Sequence, residues 1–272
     1  MTHDVWLAKH PYLQPVADVH AEVEAALADG RMPIPAIPIW DDYVGDFVDG
    51  VPLLHSAYDI VDLKPADSVV ESLVERLASN SCSSRMQKEC EVLNAEMRRA
   101  PDEPGRISAW LLGKAPFLSE QSGVLHYLGW IAVATYLRPV TTAFGQWREE
   151  ERWLRSYCPT CGAPPAMAQL SGTDPGRRRY LSCGRCGARW WYRRTGCPFC
   201  TETEKDDHRL AVVAVEGEAL RIDYCESCRG YLKTYVGDGS EATLLADWTS
   251  IHLDFVALDR GLKRSALSLY QF

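Results

Sequence analysis

The chain contains four cysteine pairs of identical spacing, each with two residues between its two cysteines. The pairs are Cys158/Cys161, Cys183/Cys186, Cys197/Cys200 and Cys225/Cys228. A CxxC turn places two sulfurs at the separation that one tetrahedral metal ion requires, and a second pair completes a four-sulfur site. The eight cysteines therefore predict two metal ions bound to the carboxyl-terminal half of the chain.

Sequential pairing is the simplest way to assemble the four pairs into two sites. The first site would use Cys158, Cys161, Cys183 and Cys186. The second site would use Cys197, Cys200, Cys225 and Cys228. An interleaved arrangement, with the first pair joined to the third and the second to the fourth, is the alternative. Four thiolates leave no coordination position for water or substrate, so we expect no metal-assisted hydrolysis.

Two other uses of paired cysteines compete with metal binding. The first four residues, MTHD, lack the basic and apolar segments of an export signal, so we expect a cytoplasmic protein in which disulfides are disfavoured. A thioredoxin-like redox couple needs one pair in a βαβ setting, whereas Gly and Pro flank these four pairs. The remaining cysteines, Cys82 and Cys90, have no partner motif and are expected to be ordinary free thiols.

Charge is distributed unevenly along the chain. The formal net charge is −8, but residues 151–200 contain 9 arginines and only 2 acidic residues. Four of these arginines are predicted to form a partner-binding surface: Arg185, Arg189, Arg193 and Arg194. A basic surface with interleaved aromatics could follow nucleic-acid phosphates. The acidic segments on both sides disfavour a long polyanion, so we expect a compact anionic partner instead.

Residues 1–155 have the periodicity of a helical domain. Val16, Val19, Val23 and Leu27 recur at helical spacing, and we expect Gly30 to end that helix with a positive φ. A second helix is expected after Pro65, with Asp67 or Ser68 as its N-cap. A third should cover residues 123–137, end at Pro139 and be followed by a fourth. The apolar stretch 123–137 is shorter than the roughly 20 residues that cross a bilayer.

The residue pattern changes from helical to strand-like after residue 155. Short strand-like runs alternate with the cysteine pairs, at residues 166–170, 179–182, 189–194, 210–215, 219–224 and 231–236. Glu216-Gly217-Glu218 is predicted to be a hairpin turn. We expect small antiparallel sheets attached to the metal sites. A last helix is predicted from apolar residues at helical spacing, with a buried apolar face: Leu244, Trp248, Ile251, Phe255 and Leu258.

These motifs, in this order, resemble the formate dehydrogenase accessory protein family, FdhE. The resemblance rests on Cys158-Pro159-Thr160-Cys161-Gly162, on the run Arg179-Tyr180-Leu181-Ser182-Cys183 with Cys186, Trp190, Arg194 and Cys197, and on Cys225 to Cys228 followed by Gly230-Tyr231-Leu232-Lys233. It covers roughly residues 158–260. Upstream, the similarity lies in helical character and in Val51-Pro52-Leu53-Leu54.

The resemblance implies an α+β fold with four parts. These are a helical N-terminal domain over 1–155, rubredoxin-like (zinc-ribbon-like) four-cysteine modules over 156–195 and 196–238, and a C-terminal helix and tail over 239–272. It also implies a maturation protein, with no known enzyme activity, that binds the catalytic subunit of formate dehydrogenase in the cytoplasm before export. Among metals it favours iron, with zinc as the alternative, since both accept four thiolates. The alternative functions are a zinc-ribbon nucleic-acid binder and a rubredoxin-type electron carrier.

Overall fold

The computed structural model describes residues 2–57, 60–99, 105–116, 119–173, 176–200, 210–214, 219–239, 246–266 and 268–270. Its helices in chain order are α1 His3–Lys9, α2 Gln14–Asp29, α3 Val44–Asp49, α4 Lys64–Ser79, α5 Ser84–Arg99, α6 Arg106–Leu111, α7 Ser122–Trp147 and α8 Ile251–Asp259. Its strands are β1 Met167–Ser171, β2 Arg178–Ser182, β3 Arg189–Tyr192, β4 Leu210–Ala214, β5 Leu220–Cys225, β6 Gly230–Val236 and β7 Lys263–Arg264.

The chain divides into two compact units, each built from separate stretches of sequence. The cysteine unit comprises Met1–Lys9, Val44–His55 and Arg148–Ser268. The helical unit comprises His10–Tyr43, Ser56–Trp147 and Leu269–Phe272. The α+β fold is confirmed, with a helical N-terminal region, two four-cysteine groups and a C-terminal helix. The domain boundaries that the sequence predicts at residues 155, 195 and 238 stay predictions.

Helix α4 is the centre of the helical unit and packs against both α5 and α7. Its buried side follows the helical period, because Val70, Leu73, Val74 and Leu77 are all inaccessible to solvent. The Pro-rich run from Met32 to Ile39 contains no helix or strand, since each proline lacks the amide donor that regular structure uses.

Asp67 has a different role from the one predicted for it. Helix α4 already begins at Lys64, so Asp67 lies in its first turn and does not cap it. The Asp67 carboxylate instead accepts hydrogen bonds from the amides of Ile107 (2.8 Å) and Ser108 (3.0 Å), at the start of α6. A buried carboxylate from one helix thus satisfies the free amides of another.

The expectation that Pro139 ends a helix is wrong. Helix α7 runs without interruption from Ser122 to Trp147 and contains Pro139 in its interior. Pro139 is exposed, and so is Arg138 before it, so water can hydrate the backbone carbonyl that the missing amide leaves unpaired. Apart from the residues left undescribed, none of the helices combines the length and hydropathy needed to span a membrane.

Gly30 follows helix α2 as predicted, but its φ of −76° is in the ordinary region. The helix ends there because the chain turns to extended backbone, with ψ at 149°. A positive φ is therefore not the reason for this glycine.

The cysteine unit is built on one continuous sheet with strand order β3-β2-β1-β6-β5-β4, and β7 also pairs with β6. The six longer strands coincide with the predicted strand-like runs to within two residues. Neighbours pair in antiparallel fashion except β1 with β6 and β6 with β7, which are parallel. The Met167↔Lys233 register joins the two modules through β1 and β6. The predicted turn at 216–218 lies outside the described residues.

One sheet, in place of separate sheets on the two metal sites, is the main difference from the sequence-based expectation. The difference arises because β6 has two free edges, one of which pairs with β5 and the other with β1. Strand pairing satisfies backbone groups that an edge strand would leave open. The two four-cysteine groups therefore belong to a single structural body.

The C-terminal helix is shorter than predicted, and it buries a different face. A 3₁₀ turn over Trp248–Ser250 leads into α8, and Leu244 lies outside the described residues. Phe255 and Leu258, predicted to be buried, are 67% and 63% exposed. The helix buries its opposite side, where the Asp254 carboxylate makes ionic contacts with the sheet.

Candidate metal centres

The first cluster brings together the sulfurs of four cysteines that the sequence assigned to one site: Cys158, Cys161, Cys183 and Cys186. The turn before β1 supplies the first pair and the turn between β2 and β3 supplies the second. All four sulfurs lie within 4.8 Å of one another, and all four residues are buried.

The sulfur separations match a tetrahedral metal site. Cys158 Sγ lies 3.5 Å from Cys186 Sγ, and Cys161 Sγ lies 3.5 Å from Cys183 Sγ. Four thiolates at about 2.3 Å from a central zinc ion would be roughly 3.8 Å apart. A disulfide would require about 2.05 Å, so these thiols are free.

Backbone amides surround the sulfurs of the first cluster. Thr160 N lies 3.4 Å from Cys158 Sγ, and Arg185 N lies 3.4 Å from Cys183 Sγ. The glycine after each pair closes the turn with a positive φ, 74° at Gly162 and 72° at Gly187, as predicted. Amides aimed at sulfur stabilise thiolate ligands and fix their orientation.

A distant stretch of chain covers the first cluster. We call residues 51–55 the first strap. The amides of Leu53 and Leu54 donate 2.9 Å hydrogen bonds to the carbonyls of Pro159 and Thr160, between the two cysteines of the first pair. His55 Nε2 lies 3.3 Å from the Cys161 carbonyl oxygen. The first strap therefore closes over the outer side of the turn.

The second cluster combines Cys197, Cys200, Cys225 and Cys228. Sulfur separations are 3.8 Å between Cys197 and Cys228 and 3.7 Å between Cys200 and Cys225. These distances fit the same tetrahedral geometry. Cys200 and Cys228 are only partly buried, so the second cluster is more accessible to solvent than the first.

One sulfur in each cluster is favoured as the thiolate. Hydrogen bonds from the neighbouring Cys158, Cys161 and Cys186 thiols lower the pKa of Cys183 well below its usual range. Burial raises the pKa of Cys225, but hydrogen bonds from the Cys228 amide and other donors outweigh it and lower the pKa to about 6. An ionised sulfur is the natural first ligand for an incoming cation.

The arginines near the clusters occupy different environments. Arg193 and Arg194 are exposed, and Arg185 is half-buried. Arg189 is half-buried and donates a hydrogen bond to the side-chain oxygen of Gln169. Its guanidinium also lies 5.4 Å from the centre of the Tyr180 ring.

Arg179 is buried, although it belongs to the same basic stretch. Its side chain is 1% exposed and donates hydrogen bonds to the carbonyls of Arg194 (3.0 Å) and Gly196 (3.1 Å). Burial lowers the pKa of the Arg179 guanidinium. Arg179 therefore fixes the chain between the two clusters and adds nothing to a surface charge.

Two of the three aromatic residues of β3 form part of the core of the sheet. Trp190 is almost wholly buried, and its indole nitrogen donates a 3.2 Å hydrogen bond to the Arg155 carbonyl. Tyr192 is also buried. Packing accounts for both residues.

Nothing in the sequence signals a group of four charged side chains packed together in the cysteine unit. Asp247 and Asp254 alternate there with two cations from β6 and β7, Lys233 and Arg264. No ligand spacing connects these residues along the chain, because Asp247 at the start of the C-terminal 3₁₀ turn and Asp254 in α8 meet the strands only in the folded protein. The first strap was likewise visible only as a short apolar motif.

Comparison with known proteins finds FdhE homologues that are similar to this chain in sequence. The chain is 33% identical over 132 residues to an FdhE homologue from Aquifex aeolicus, covering 47% of this chain and 46% of the relative. It is 38% identical over 123 residues to an FdhE homologue from Pseudomonas aeruginosa, covering 41% and 38%. The alignments thus span less than half of these relatives. No family model matches the chain.

A solved structure extends the similarity to most of the fold. The crystal structure of the FdhE protein from Pseudomonas aeruginosa covers 91% of this chain and 85% of its own, with a TM-score of 0.59 and 26% identity. Sequence and structure thus point to the same kind of protein. The chain is similar to FdhE proteins in both sequence and fold, and its described residues form two four-cysteine clusters.

Proposed function

We propose that the chain is a metal-binding accessory protein that assists the maturation of a formate dehydrogenase. The observation that carries the proposal is the pair of closed four-sulfur clusters, found in a chain similar to FdhE proteins. Neither cluster leaves a coordination position for substrate, so the clusters suit a structural or electron-carrying role in place of hydrolysis.

The donor set fits one tetrahedral ion in each cluster. Four sulfurs at 3.5–3.8 Å suit both zinc and iron. Zinc would stabilise the fold, and iron would add a one-electron couple. The family resemblance favours iron. In either case the chain supplies the thiolates, orients them through backbone amides and limits the access of water to the first cluster by the first strap and the sheet.

The proposed partner is the catalytic subunit of formate dehydrogenase, bound in the cytoplasm before export. The exposed arginines 193 and 194, with Arg185 and Arg189 beside them, form the docking surface in this proposal. An acidic surface on the catalytic subunit would complement their charge. Arg189, with its bonds to Gln169 and Tyr180, would hold the strand beneath that surface.

The experiment that tests this function is a pull-down combined with metal analysis. The tagged chain, purified without oxygen, is expected to carry two equivalents of iron or zinc and to retain the catalytic subunit from a co-expressing cell. Two metals with no retained subunit would refute the maturation role but leave the metal sites. Capture of duplex DNA or RNA at low salt would support the zinc-ribbon alternative.

A further inference from the structure

The second cluster is covered by residues 260–266, which we call the second strap. Strand β7 lies in this strap and pairs in parallel with the start of β6, where Gly230 is opposite Lys263. The Lys263 amide donates a 2.8 Å hydrogen bond to the Arg229 carbonyl, directly after the last cysteine of the cluster. Arg229 Nη2 donates a 2.6 Å hydrogen bond back to the Arg260 carbonyl.

The contact between the second strap and the sulfur is close. The Gly230 amide lies 3.4 Å from Cys228 Sγ. A Cβ atom at Gly230 would lie 2.8 Å from the Phe199 ring, 3.2 Å from Cys228 Sγ and 3.3 Å from the Ser265 hydroxyl oxygen. A side chain at this position would therefore press on Phe199, on the cluster and on the strap at once. Movement of the strap and movement of this sulfur are therefore mechanically connected.

Four charged side chains hold the second strap in place: Lys233, Asp247, Asp254 and Arg264. Lys233, which is 1% exposed, lies 2.6 Å from Asp247 Oδ1 and 2.9 Å from Asp254 Oδ2. Arg264, on the strap itself, contacts the same two oxygens at 2.5 and 2.6 Å. Two cations and two anions balance. Such a group is stable while complete and costly when one member is removed.

We propose that these four charges are positioning residues for the second cluster, because they hold the strap that retains its metal. This inference rests on the metal binding of the proposed function. It adds which residues control the release of metal from the second cluster. Arg264 lies next to Lys263, whose amide donates a hydrogen bond to the Arg229 carbonyl. Opening the strap would break that hydrogen bond, which lies directly beside Cys228 of the second cluster. The first cluster has a separate strap, held by backbone hydrogen bonds, and does not depend on these charges.

The test compares metal release from the full-length wild type and Arg264→Ala. Both proteins are loaded with ¹¹³Cd, which gives one resonance per cluster, and the loss of one resonance in Cys200→Ser assigns the second site. On addition of a chelator, Arg264→Ala should release the second-site metal roughly tenfold faster, with first-site release unchanged. Arg178→Ala, which removes an exposed arginine from β2, is the matched control and should release both metals at the wild-type rate.

The outcomes separate this inference from simpler explanations. Equal acceleration at both sites would mean general destabilisation and would overturn it, as would unchanged release at the second site. Arg264→Lys, which keeps the charge but loses the two-pronged contact, should fall between wild type and Arg264→Ala. A wild-type protein that never binds a second metal would overturn the metal-binding proposal itself, and this inference with it.

Coupling must also act in the reverse direction, which permits a test without any variant. Removing the second-site metal from the wild type should speed hydrogen exchange at the Lys263 amide, while the Leu53 and Leu54 amides of the first strap keep their protection. If Arg264→Ala fails to fold, this measurement decides. Unchanged protection at Lys263 would overturn the inference.

Discussion

Arg179 Nη1 donates a 3.0 Å hydrogen bond to the carbonyl oxygen of Arg194, so a buried cation in the first module fixes the chain that leads into the second. The same guanidinium reaches the carbonyl of Gly196, one residue before the first cysteine of the second cluster. This side chain therefore acts together with the β1–β6 pairing to fix the two clusters relative to each other.

Replacing Arg179 by Met should lower the free energy of unfolding by about 3 kcal/mol, because two backbone carbonyls lose charged donors and the buried site loses its cation. Denaturant unfolding of the metal-loaded protein measures the loss. Arg178→Met changes the exposed neighbouring arginine and should alter stability by less than about 0.5 kcal/mol. Equal effects of the two substitutions would contradict the role assigned to Arg179.

The double substitution Cys183→Ser and Cys186→Ser should remove one metal and leave one. The strands β1, β2 and β3 around the first cluster cannot bury enough apolar surface alone, so metal loss should unfold this part of the sheet locally. Metal analysis and circular dichroism should show one remaining equivalent and preserved helical signal from the helical unit. Cys82→Ser, at an exposed cysteine outside the clusters, is the control. Retention of both metals would refute the assignment of ligands.

Charge-reversal substitutions distinguish the arginines that bind the partner from those that stabilise the fold. Arg193→Glu with Arg194→Glu changes two exposed side chains and should reduce capture of the catalytic subunit without changing the melting temperature. Arg189→Glu should lower the melting temperature, because Gln169 loses its donor. Normal capture by the double variant would dismiss the arginine surface as a docking site.

Asp67→Ala should weaken the start of helix α6 by about 1 kcal/mol, since the Ile107 and Ser108 amides lose their acceptor. Asp67→Asn retains an oxygen acceptor and should cost less. Hydrogen exchange at these two amides measures both effects. No change in their exchange rate in Asp67→Ala would contradict the capping role.

The same carboxyl predicts a pH dependence. Burial raises the pKa of Asp67 above its ordinary value, against the hydrogen bonds that lower it. The folded state therefore binds the proton more tightly than the unfolded state. Relative to Asp67→Asn, wild-type stability should rise as pH falls from neutral through the raised pKa toward about 4, and the gain should disappear as pH rises again. A stability difference between the two proteins that stays constant over this pH range would refute the shift.

The grouping of cysteines and most strands could be predicted because their signals are local. A CxxC turn and a run such as 230–236 carry their own spacing, and the sequential grouping needed only the shortest connections. The β1–β6 pairing could not be predicted, since nothing near Met167 indicates that Lys233 will lie beside it. The central strand pair of the sheet is thus a property of tertiary structure.

Burial was predicted less well than spacing. Phe255 and Leu258 have helical periodicity, yet α8 is oriented by the ionic contacts of Asp254 on its other side. Pro139 illustrates the same limit, because a cost of about 3 kcal/mol for proline in a helix is outweighed by the buried apolar face of α7. Local rules fail where long-range contacts supply more free energy.

The two straps are synthesised at different times relative to their clusters. Residues 51–55 leave the ribosome before any cysteine of the first cluster, whereas residues 260–266 follow the last cysteine of the second. The first cluster can therefore close as soon as Cys186 has been made. The second stays uncovered until translation has passed Arg264, which gives a nascent chain an interval in which only this cluster is open to metal delivery.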